Sequence, residues 1–86
     1  MNFEDTIIIP KPKRDEQRGL VTVKQTRASL VRGHQKFSEH YGFELQEGDP
    51  RFSVLGTRRE GNRAIITYGM TGRRLDADQL AYELNN

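Results

Sequence analysis

The 86-residue chain predicts an α+β domain in which a small antiparallel sheet is covered on one face by two helices. Three observations carry that expectation. Apolar residues recur at helical spacing from Arg27 to Tyr41, two strand-prone runs flank a glycine turn between Phe52 and Tyr68, and a capping signature opens a short helix after Asp76.

Taken in order, Thr6 to Ile9 has strong strand propensity, and Pro10 and Pro12 stop any ladder directly after it. Lys11 to Gly19 is proline-containing and densely charged, as an exposed, extended linker would be. Residues 1–18 are therefore read as an extended, partly flexible N-terminal arm, and 19–86 as one α+β domain. Strand character resumes at Leu20–Gln25, which is expected to join the sheet.

In the helix expected over about 27–41, Leu30, Val31, His34, Phe37 and Tyr41 form the apolar stripe, with Arg32, Lys36 and Glu39 opposite. Thr26 is the expected N-cap and Gly42 the left-handed residue past the end. Gly33 costs such a helix about 1 kcal/mol relative to alanine, so tertiary packing has to hold it.

Glu47-Gly48-Asp49-Pro50 marks a turn, and a hairpin follows with strands at 52–58 and 62–68 around Arg59-Glu60-Gly61. A three-residue loop ending in left-handed Gly61 is preferred because it gathers Phe52, Val54, Ala64, Ile66 and Tyr68 on one face. Asp76 with Gln79 makes a capping box, and Leu75 can staple onto Leu80, so a helix is expected at about 77–84. The expected core is Val21, Val23, Leu30, Val31, Phe37, Tyr41, Phe43, Val54, Ile66, Tyr68, Leu80 and Leu84.

Charge is distributed in blocks. The formal total of +2 conceals −2 over residues 1–9, +6 over 10–36, −4 over 37–50, +5 over 51–75 and −3 over 76–86. Basic blocks of this kind attract phosphates or acidic protein surfaces. The absence of cysteine excludes a disulfide framework, a thiolate nucleophile and Cys-based zinc sites, and fits a reducing cytoplasm. The acidic start lacks the cationic head and apolar run of a signal peptide, and no run is long enough to span a membrane.

Arg58, Arg59, Arg63, Arg73 and Arg74 are the first candidate site, because arginine's rigid fork of donors suits phosphates and carboxylates. The plainer alternative is a solvated surface paired with Glu60, Asp76 and Asp78. Lys11, Lys13 and Arg14, with Arg18, form a second basic block suited to binding phosphate as a flexible arm, or simply to keeping that arm solvated. Thr6–Ile9 offers an edge strand through which a second copy of the chain could add.

His34 and His40 are six residues apart, which on a helix separates them by about 120° and prevents a shared metal. Glu44, Glu47 and Asp49 lack the spacing of a calcium loop. The chain has no phosphate-cradling glycine loop, Gly-x-Ser-x-Gly or His-Glu-x-x-His. The expectation is a non-catalytic protein without cofactor or metal, binding nucleic acid through an arginine-rich hairpin tip. The competing expectation is a protein-interaction module, such as a small inhibitor, regulatory subunit or assembly component, that meets an oppositely charged partner surface.

Overall fold

Thr22 decides how the middle of the chain begins. Its hydroxyl accepts from the backbone N–H of Gln25, and the Gln25 side chain accepts from the backbone N–H of Thr22, a complete capping box. In the computed structural model, which describes residues 2–9, 19–42, 44–45 and 49–86, helix α1 therefore spans Val23–Tyr41. The expected strand at 20–25 is not formed. Its β-branched residues Val21 and Val23 suit a strand, but the Thr22 hydroxyl accepts from an orphan N–H of the first helical turn, and the helix wins. Thr26, the expected cap, is instead buried one turn inside, its hydroxyl donating to the Thr22 carbonyl at 3.0 Å.

The third strand comes from the N-terminus. Strand β1 (Phe3–Ile8) lies antiparallel to β3 (Arg63–Gly69), which also pairs with β2 (Ser53–Glu60), giving the sheet order β1-β3-β2. Residues 3–9, read from the sequence as the start of an arm, thus carry a strand and two core side chains, Ile7 and Ile9. Helix α2 (Ala77–Leu84) begins where expected, with Asp76 and Gln79 capping each other. Among the described residues no helix is long and apolar enough to cross a membrane.

The hairpin turns in two residues rather than three. Glu60 pairs with Arg63, leaving Gly61 and Asn62 as the loop, and Gly61 takes φ of 60°, where glycine carries no steric cost. A bulge between Val54 and Gly56 then resets the register. The expected apolar face survives, since Phe52, Val54, Ala64, Ile66 and Tyr68 are all buried. Beyond the bulge the alternation is inverted, so Thr57 and Arg59, opposite Ile66 and Ala64, join the helix side and Arg58 goes to the other.

Both helices cover the same sheet face, α1 over β1 and α2 over β2. The core between them centres on Phe37, Ile66, Tyr68, Leu80 and Leu84. Phe52 stacks on Tyr68 at 4.9 Å between centroids and meets Phe37 edge-on at 5.5 Å. Val31, expected in the core, stands exposed on the outer side of α1, while Val23, Leu30 and Tyr41 are half-buried. Phe43 lies outside the described residues.

Candidate binding site at the hairpin end

Because β2 alternates after its bulge, consecutive arginines leave it on opposite faces. Arg58 lies on the uncovered face, where its guanidinium bonds Glu4 at 2.9 Å and Glu60 at 3.1 Å. The bridge to Glu4 spans the central strand, since Arg58 pairs with Ile65 on one side of β3 and Glu4 with Thr67 on the other. The ionic contacts hold the Glu4 carboxyl below its usual range and push the Arg58 guanidinium further up.

Arg59 points the other way, to the C-terminal end of α2. It donates to the Leu84 carbonyl at 3.3 Å, the Asn85 side chain at 3.4 Å and the Gly19 carbonyl at 3.2 Å. A cation at the negative end of a helix is favourable there, so Arg59 works as part of the fold. Arg63 opens β3 beside the turn and is exposed, with no ion pair or side-chain hydrogen bond among the described residues.

The same end of the molecule holds both residues that bracket the N-terminal basic segment. The Ile9 N–H donates to the Asn62 carbonyl at 2.7 Å, and Gly19 is the residue held by Arg59. Lys11, Lys13 and Arg14 themselves lie outside the described residues, as does Arg18.

Arg73 and Arg74 are not part of this group. Arg73 exchanges both backbone bonds with Val54, each 2.8 Å, at the far end of β2, about 20 Å from the turn at strand spacing. Its side chain donates to Glu83. Arg74 borders an open groove of about 820 Å³ between α1 and the segment leading into α2. The groove has apolar walls from Leu30, Val31, Phe52 and Leu75, and a rim of both signs from Arg27, Arg73, Arg74, Asp49, Asp76 and Asp78. Asp49 is held at a pKa of about 2 by hydrogen bonds from the Arg51 side chain and backbone. His34, half-buried on this wall, meets the Phe52 ring edge-on at 4.1 Å.

A second polar assembly, which the sequence alone does not bring together, joins β1 to α1. Asp5, almost fully buried, accepts from the Ser29 hydroxyl and from Arg32 at 3.0 Å, with Lys36 at 3.8 Å. Ser29 has one proton and gives it to Asp5, so the Tyr68 hydroxyl, 3.2 Å away, donates to Ser29. The available signal was the Arg32–Lys36 spacing, which puts two cations one turn apart on one helix side.

Among the described residues no cluster of His, Cys, Asp and Glu could hold a metal ion. No family model, curated protein or solved structure matches the chain.

Proposed function

We propose that this protein is a small, non-catalytic, cytoplasmic module that binds nucleic-acid phosphates through its hairpin end. The observation that carries the reading is a convergence. Arg58 and Arg63 stand at the hairpin end, where Ile9 bonds Asn62, and Arg59 from the same strand end holds Gly19, the next described residue along the chain. The described residues on either side of the second basic block thus bond the hairpin end that carries the first. Arg63 is the exposed cation of this group with no ion pair among the described residues, and Arg58, though bonded to Glu4 and Glu60, keeps about half of its side chain in solvent. Exposed pairs of this kind contribute only about 0–1 kcal/mol, so a phosphate can exchange with them.

Binding of this sort is electrostatic and weakens steeply with salt. The test is retardation of labelled single-stranded DNA and duplex RNA at about 50 mM and 200 mM salt. Binding at the lower salt is expected, with the slope of log affinity against log salt falling by about 1 for Arg63→Gln and more for the joint replacement of Lys11, Lys13 and Arg14. Lys24→Gln, on α1, serves as the comparison that leaves it unchanged. Failure to retard either probe at low salt refutes the reading.

One observation favours a protein partner instead. Arg59 and Arg73 are engaged by groups of the chain itself, and the groove beside α1 has an apolar wall and a rim of both charge signs, as protein interfaces do. Capture of a protein that survives nuclease treatment, and is lost on Val31→Asp, would support this second reading.

A further inference from the structure

Strand β1 is an edge of the sheet, and its outer side can be assigned residue by residue. The Ile9 N–H donates to Asn62, and the β1–β3 register runs unbroken from Phe3↔Tyr68 to Ile8↔Arg63. In an antiparallel ladder the bonded pairs alternate, so Phe3, Asp5, Ile7 and Ile9 direct their backbone groups to β3. The N–H and C=O groups of Glu4, Thr6 and Ile8 therefore point away from the sheet, and none bonds another described backbone group. The opposite edge is managed differently, since β2 is bulged and Val54 is closed off by Arg73. Strand β1 has no bulge, lysine, arginine or proline.

Two cations overlook this edge. Arg32 and Lys36 reach from α1 to Asp5 on the helix side of β1, yet both side chains remain about half exposed. One carboxylate serves two positive groups, which leaves a local excess of one charge. On the other side of the strand Ile8 is 66 % exposed.

We propose that the β1 edge accepts an extended acidic segment of another protein as a fourth strand, with carboxylates and apolar residues in alternation. The spacing fits, because residues one helical turn apart, such as Arg32 and Lys36, lie about 5–6 Å apart, and alternate strand residues repeat at about 6.6–6.8 Å. Carboxylates on the helix side meet Arg32 and Lys36, and the apolar residues between them cover Ile8. A second copy of this chain is disfavoured, since pairing β1 with itself about a two-fold axis brings two Arg32–Lys36 sets together. The proposal uses the outward backbone of β1 with Arg32 and Lys36, none of them a cation of the hairpin-end site, and stands independently of it.

The probe is the capped peptide Thr-Glu-Val-Glu-Val-Glu-Val-Thr, titrated into the full chain with hydrogen exchange followed by NMR. Amide exchange at Glu4, Thr6 and Ile8 is expected to slow by about tenfold or more at saturation, with Asp5 and Ile7 little changed. Thr6→Pro should abolish this while leaving the β1–β3 ladder intact, because only an outward N–H is removed. If that variant does not fold, the same peptide N-methylated at alternate residues gives the equivalent block with unaltered protein. Equal protection by the peptide with lysine for glutamate, or no protection by the acidic peptide, overturns the proposal. So does concentration-dependent protection of the same amides without peptide, which would identify the occupant as a second copy.

Discussion

The side chain of Asn85 pairs with both backbone groups of Val21, accepting from its N–H at 2.9 Å and donating to its carbonyl at 2.8 Å. The amide imitates a strand partner and ties the entry of α1 to the exit of α2, 64 positions apart. Arg59 completes the junction by bonding Asn85, Leu84 and Gly19. Asn85→Ala removes both bonds and strands two partly buried backbone groups, at a cost of about 1–3 kcal/mol. For a domain of this size that lowers Tm by about 4–24 °C. Thermal unfolding by circular dichroism measures it, and Asn85→Asp, which keeps only the acceptor, is expected to fall between alanine and the parent.

Gly33 sits in the middle of α1, where propensity alone favours alanine by about 1 kcal/mol. A Cβ there would stand 2.9 Å from Cε2 of Tyr68 and 3.0 Å from Cζ of Phe52, two stacked rings at the centre of the core. Neither ring is free to retreat, so the helix and sheet would have to separate. Gly33→Ala is therefore expected to destabilise by about 1–3 kcal/mol, against the sign of its propensity. A lower urea midpoint with unchanged helix content at zero denaturant would match this; a raised midpoint would show that the contact is loose.

These contacts explain which parts of the fold could be read beforehand. Asp76 and Gln79 announce α2 because a capping box is local, and the apolar alternation of Ala64, Ile66 and Tyr68 marks the buried side of β3. Leu20–Gln25 misleads because Val21 and Val23 have strand propensity, whereas the Thr22–Gln25 box that overrides it has the same local signature as the one at Asp76. The bulge after Val54 has no comparable mark. It is what turns Arg59 and not Arg58 toward the helices, converting one of a presumed pair of binding arginines into a brace for α2. The chain from Asp5 through Ser29 to Tyr68 joins residues up to 63 apart, and only the tertiary packing assembles it.

Tyr68 gives that chain a measurable signature. Its ring is fully buried, and burial pushes its phenol up to about 12 from 10.0, with the charge of Asp5 adding to the rise while Arg32 opposes it. Between about pH 10 and pH 12 the unfolded chain has released this proton and the folded chain still holds it. Stability is thus unaffected by Tyr68 below about pH 10 and falls as pH rises toward 12. A difference of two pH units corresponds to about 2–3 kcal/mol. Urea midpoints at about pH 8, 10 and 11.5 should decline in the parent, and subtracting those of Tyr68→Phe isolates this group from the lysines and other tyrosines that titrate there. Tyr68→Phe is expected to start lower, having lost the bond to Ser29, and then to converge on the parent as pH rises. Curves that stay parallel through pH 11.5 would mean that the Tyr68 hydroxyl ionises as readily in the folded core as in water.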